Sequence, residues 1–155
     1  MTISVDRKIR GCQNWFLAIV ILSAIGCAPD LPSLGSVSGV VSMKGKPLPG
    51  VELTFSPRPA EGRIVPKSSR AITDQAGRYT LTYMAADGKT TAEGAAIGDH
   101  VVCFSDYLCI ESRDNPIPYR FSVKLANTGS TPFTASVIEG EQEIDFDLTK
   151  FPNRR

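Results

Sequence analysis

Between residues 36 and 150 no long window places apolar side chains at helical spacing. Short runs of β-branched and aromatic residues recur instead, each closed by Gly, Pro, Asn or Asp. Such runs suit a pleated, half-buried surface and their closing residues suit tight turns, so the pattern predicts an all-β sandwich or barrel. Seven strands are predicted, at 37–43, 51–55, 70–73, 78–83, 99–105, 133–138 and 143–148, forming a seven-stranded antiparallel Greek-key sandwich. Pro49-Gly50 suits the centre of a type II turn, because proline presets φ and glycine accepts a positive φ. Asp74-Gln75-Ala76-Gly77 is predicted to close a hairpin between 70–73 and 78–83, with Asp74 capping backbone N–H groups. Glu139-Gly140 is predicted to close a second hairpin between 133–138 and 143–148. Residues 56–69, 84–97 and about 106–131 read as loops.

The first thirty residues follow a different rule. Residues 1–14 are polar and carry Arg7, Lys8 and Arg10 against Asp6. Trp15 to Gly26 is an apolar run of 12 residues. A secretory signal needs a basic segment and about 7–15 apolar residues, whereas a spanning helix needs about 20. The run fits the first. Ala24-Ile25-Gly26-Cys27 then resembles the lipobox of bacterial lipoproteins, although Ala24 stands where that motif usually has leucine. The resemblance implies cleavage between Gly26 and Cys27 and a diacylglyceryl group on the Cys27 thiol. Ala28, where an aspartate would signal inner-membrane retention, gives no such signal. The expected organisation is a signal peptide over 1–26, a lipidated Cys27 and extended tether over 27–36, and one domain over 37–150. The expected location is a membrane or outer membrane, facing the periplasm or the cell surface.

Charge removes one function class. Taking Arg7, Lys8, Arg10 and Asp6 from the 17 basic and 16 acidic residues leaves 14 against 15. Nucleic-acid binding begins with clustered cations neutralising phosphates, and a near-neutral domain without a basic patch is a poor partner for it.

With the turns placed, a family pattern is visible. Gly39-Val40-Val41, Gly45-Lys46-Pro47-Leu48-Pro49-Gly50-Val51, Phe55, Ala71-Ile72-Thr73-Asp74-Gln75-Ala76-Gly77-Arg78-Tyr79 and Gly98-Asp99-His100-Val101-Val102 together resemble the carboxypeptidase regulatory-like domain. That family belongs to the transthyretin-like (prealbumin) β-sandwiches. Its small exported bacterial members end in a strand like Glu143-Ile144-Asp145-Phe146-Asp147-Leu148, and their "I-P-x-x-Y" segment is matched two residues short by Ile117-Pro118-Tyr119. The resemblance covers roughly residues 37–148 and implies a structural or accessory role without catalysis.

Individual residues give little chemistry. His100 is the only histidine, and a metal site or a hydrolytic triad needs partners that one histidine without a G-x-S-x-G elbow lacks. It is therefore expected to pack in the core, and no cofactor and no metal are expected. Transthyretin-like small hydrolases use several histidines and a C-terminal Tyr-Arg-Gly-Ser. Here Tyr119-Arg120-Phe121-Ser122 is internal and lacks the glycine, so that carry-over fails. Cys103 and Cys109 remain after Cys12 is removed and Cys27 acylated; in an oxidising compartment they can form a disulfide or stay as two thiols. Glu143, Asp145 and Asp147 alternate with Ile144, Phe146 and Leu148, and are expected to face solvent. Tyr107 and Tyr119, in predicted loops, are the stacking platforms that a carbohydrate- or surface-polymer-binding module would use. The expected partners are thus the membrane through Cys27 and an envelope protein or glycan.

Overall fold

The computed structural model describes residues 31–59, 64–111 and 117–153; the expected signal segment over 1–26 and the expected lipidation site at Cys27 lie outside them. The chain is an all-β sandwich of two sheets. Its strands, in order, are β1 (Leu34–Met43), β2 (Lys46–Pro47), β3 (Val51–Pro57), β4 (Ser69–Ile72), β5 (Arg78–Thr80), β6 (Thr82–Met84), β7 (Thr91–Glu93), β8 (Ala95–Ala96), β9 (Gly98–Asp106), β10 (Thr134–Val137), β11 (Glu141–Glu143) and β12 (Phe146–Asp147). A short helix α1 (Tyr107–Glu111) follows β9, and a 3-10 turn spans Val123–Ala126. Among the described residues no helix is long and apolar enough to cross a membrane.

One sheet is built around β1, which pairs antiparallel with β8, β5 and β2 and parallel with β11 and β12. The other runs β10-β9-β3-β4-β6-β7, antiparallel throughout. Alternation places Val37 and Val41 of β1, Val51, Leu53 and Phe55 of β3, and Val102 and Phe104 of β9 in the space between, with successive side chains pointing to opposite faces. Phe146 closes the core, meeting Phe55, Phe104 and Phe133 edge-on at 6.0, 5.1 and 5.8 Å between ring centres, a favoured aromatic geometry.

Twelve strand segments replace the seven expected, because the segments at 78–83 and 143–148 each divide and three short strands form in stretches read as turn or loop. The first division has a clear cause. The hairpin at Asp74–Gly77 keeps one register at its tip, where the Asp74 N–H donates to Arg78 at 2.9 Å, and at its base, where Ser69 faces Tyr83. Between them the arms part: β4 stays on β3 while β5 crosses to β1. Leu81 is the corner. Its N–H donates to Val37 of one sheet and its carbonyl accepts from Gly94, at 2.9 and 2.7 Å.

The second expected hairpin, 133–138 with 143–148, does not form. β10 pairs with β9, and the chain then crosses to lie parallel to β1 as β11 and β12. The Gln142 side chain takes the place of a hairpin partner, accepting from the Ile138 N–H at 2.7 Å and donating to the Ser136 carbonyl at 3.3 Å. Pairing with β1 lets Phe146 and Leu148 reach the core while Glu143, Asp145 and Asp147 stay exposed. β1 begins at Leu34, inside the segment read as tether, and the fold extends past 150, since Ser122 donates to the Phe151 carbonyl at 2.9 Å.

Two glycines of the family pattern have direct physical work. A Cβ on Gly39 would stand 2.1 Å from the Ile144 carbonyl oxygen, so only glycine lets β1 approach that crossing segment. Gly50 takes φ 63°, the left-handed position that the Pro49-Gly50 turn requires.

Candidate functional site

β9 runs the length of the sandwich with His100, Val102, Phe104 and Asp106 turned inward. Its last inward residue is a carboxylate, and Asp106 is 1% exposed. A buried carboxylate needs both a counter-charge and hydrogen-bond donors, and the segment after residue 117 supplies them. Arg120 Nη2 meets Asp106 Oδ1 at 2.6 Å, Nε lies 3.0 Å from Oδ2, and the Arg120 backbone N–H donates to Oδ2 at 3.0 Å. The same guanidinium reaches the turn before β3, donating to the Pro49 and Gly50 carbonyls at 2.7 and 3.2 Å. One arginine thus fastens β9, the β2–β3 turn and the segment carrying Tyr119. Its planar fork is suited to such multiple pairing.

Beside this clamp lies a small cleft of about 110 Å³ lined by Phe104, Ser105, Asp106, Tyr119, Phe121, Val123 and Ala126. Tyr119 is 45% exposed and Val123 is exposed as well. Because Arg120 spends its donors on protein acceptors, the cleft offers a ligand an aromatic and aliphatic wall more than a charge. That wall can stack against an apolar or sugar face. Sequence reasoning missed Asp106 and Arg120. The available signal was phase: Asp106 continues the inward alternation His100, Val102, Phe104, which places an acid in the core and demands a cation.

His100 is buried, as expected. Its Nδ1 lies 3.0 Å from the Gly98 carbonyl and so carries the hydrogen; Nε2 has no hydrogen-bond partner. The ring packs 5.9 Å from Phe55. Burial pushes its pKa below the ordinary 6.5, against the smaller opposing effects of Gly98 and Asp99. Cys103 and Cys109 are two free thiols and form no disulfide. Cys103 points to the face of β9 opposite His100, while Cys109 sits on α1 and donates to the Ile117 carbonyl at 2.6 Å. Burial pushes both thiols up, foremost among the causes in each case, which lowers their reactivity as thiolates. Of the two tyrosines, Tyr119 is exposed and lines the cleft, whereas Tyr107 is half-buried on α1 with its N–H donating to Gly50 at 3.1 Å.

A second, shallower cleft of about 410 Å³ lies where β4 and β5 part, lined in part by Ile72, Asp74, Arg78, Tyr79 and Glu143. The Tyr79 hydroxyl donates to the Ile144 carbonyl at 2.6 Å, and burial, with the Asp145 charge second, holds it protonated well above the usual tyrosine range. It is a structural strut. Among the described residues no group of three or more His, Cys, Asp or Glu side chains could hold a metal ion.

No protein-family model matches the chain, and no curated protein matches it either. Among solved structures, a DUF3823 family protein from Parabacteroides merdae ATCC 43184 is similar at a TM-score of 0.40 and 16% identity, over 77% of this chain and 47% of that one. The chain therefore spans about half the length of that protein.

Proposed function

We propose that the chain is an exported lipoprotein, held at a membrane of the cell envelope through acylated Cys27, whose sandwich of the carboxypeptidase regulatory-like kind serves a non-catalytic, accessory or binding role. The observation that carries this reading is the spacing at the start of the fold. β1, the strand around which one whole sheet is built, begins at Leu34, seven residues after the lipobox cysteine. Anchor and domain are thus joined by almost no chain, as in a tethered module. The lone histidine supports the non-catalytic half, since it is enclosed against Phe55. Gly39 and Gly50, placed where only glycine fits, support the family resemblance.

The test is metabolic labelling of the full chain with a palmitate analogue, beside a Cys27→Ser variant. Label on the first and none on the second, with the labelled protein in the membrane fraction, is the expected result. Equal labelling of the two overturns the anchor.

A second reading has Tyr119 in its favour: an exposed ring on the rim of a cleft is the usual platform for a sugar face. A glycan array probed with the protein and with Tyr119→Ala tests it. Binding that vanishes in the variant supports a glycan module, and no binding by the parent removes this reading.

A further inference from the structure

The end of the sandwich at which β1 starts carries three exposed aliphatic side chains, Leu31, Ile97 and Ile138, at 38%, 43% and 59% exposure. The fold gathers them. The Ile97 N–H donates to the Ser33 carbonyl at 3.0 Å, two residues beyond Leu31. Ile97 and Ile138 occupy the register position just past the Gly98–Val137 pair that ends the β9–β10 ladder. The Ile138 carbonyl in turn lies against Gly35 near the start of β1, where a Cβ would stand 2.0 Å from its oxygen.

We propose that this edge rests on the lipid surface to which Cys27 is attached; the inference depends on Cys27 being acylated. The argument is one of reach. Leu31 is the fourth residue after Cys27, and a fully extended chain spans at most about 3.3–3.6 Å per residue, so Leu31 lies within ~14 Å of the anchored cysteine. The headgroup layer of one leaflet is itself about 5–7 Å deep. An edge held that close meets the interface with any slack in the tether, and its aliphatic side chains favour contact with the acyl boundary over water. The exposed acids Glu93, Glu139 and Glu141 occupy the same end, so zwitterionic lipid suits the edge better than anionic lipid, which repels like charge within a Debye length of about 8 Å. The tether cannot bring the opposite end down. Val123 lines the cleft beside Asp106, eight residues along β9 from Gly98, or roughly 26 Å at ~3.3 Å per residue. The cleft with Tyr119 therefore points away from the bilayer.

The test uses the full chain, processed in cells and reconstituted in phosphatidylethanolamine–phosphatidylcholine vesicles, in a Cys103→Ala, Cys109→Ser background. Single nitroxides are placed by Ile97→Cys, Ile138→Cys and, at the far end, Val123→Cys; Leu31→Cys gives a further near position should one label disturb the fold, as judged by thermal melting. Mass spectrometry reads the acyl group on Cys27 in the same samples. Collisions with a water-soluble nickel chelate are expected to fall at least five-fold at the near positions relative to 123. Acylated protein with near and far positions equally accessible overturns the inference and leaves the anchor standing. Protein without an acyl group on Cys27 overturns the anchor, and the inference with it.

Discussion

The two ends of β9 each bury a polar group, and the fold treats them in opposite ways. At the far end Asp106 is surrounded by Arg120, which supplies side-chain and backbone donors. At the near end His100 has one partner, and its Nε2 has none. The difference follows from charge. An ionised carboxylate cannot be taken from water without a counter-ion and several hydrogen bonds. An imidazole can shed its proton and enter the core neutral, leaving an orphan nitrogen whose cost is that of one lost hydrogen bond. The near end therefore stores a titratable weakness, and the far end stores a clamp that holds three segments together.

The largest expected effect comes from breaking the clamp. Arg120→Met leaves Asp106 buried without its partner, a change that costs about 3–5 kcal/mol in comparable buried pairs, and it removes the guanidinium donor from the Pro49 carbonyl and one of the two donors from the Gly50 carbonyl. Urea denaturation should show the midpoint falling with the slope unchanged. Asp106→Leu combined with Arg120→Met should recover a large part of that loss, because no lone charge remains. A single variant that costs less than about 1 kcal/mol would mean that the pair is not desolvated, and the contrast with His100 would collapse.

Replacing His100 should do less at neutral pH and more to the pH profile. Its folded pKa is depressed below 6.5 by burial, so across the window from 6.5 down to that lower value the unfolded chain binds the proton and the folded chain does not. Stability is therefore complete above 6.5 and is lost as pH falls through the window, by at most about 1.4 kcal/mol per pH unit for one group. Asp74, Asp87 and Asp147 are each held below 3.8 chiefly by hydrogen bonds from backbone and side-chain donors. Their contribution is present above 3.8 and is lost as pH falls from there through their lower folded values, so the loss from these acids begins at a lower pH than the loss from the histidine. His100→Phe, which keeps a ring against Phe55, should flatten the upper window. An unchanged slope between pH 7 and 5.5 would place the proton elsewhere.

This contrast was half legible in the sequence. A lone histidine at an inward position of an alternating strand reads as core, and the core is where it lies. The strands at 37–43, 51–55 and 99–105 were equally plain, because each is rich in β-branched or aromatic residues and turns one set of alternate side chains into the core: Val37 and Val41, then Val51, Leu53 and Phe55, then His100, Val102 and Phe104. Where the chain changes sheets, alternation carries no such information. Residues 78–83 read as one strand although Leu81 turns the corner between two, and 143–148 read as a hairpin arm although it runs parallel to β1. At Asp74–Gly77 the local turn chemistry was as read, whereas Glu139-Gly140 closes no hairpin; in both cases the choice of partner was made by distant backbone. Arg120 was illegible for a related reason: its partner lies 14 positions earlier, and a loop arginine has no periodicity to betray it.

The smallest expected effect sharpens the comparison from outside the core. Arg70 approaches Glu52 at 3.5 Å across β3 and β4, with the two side chains 69% and 25% exposed. Both are ion pairs of arginine with a carboxylate, so this pair and the clamp differ mainly in desolvation. An exposed pair gains little in high dielectric and costs side-chain entropy to hold, which leaves about 0.2–1 kcal/mol in typical cycles. A double-mutant cycle with Arg70→Ala and Glu52→Ala should give a coupling in that range that fades as salt is raised, whereas the Asp106–Arg120 coupling should persist. Equal couplings in the two cycles would show that contact between opposite charges, and not removal from water, sets the strength of the clamp.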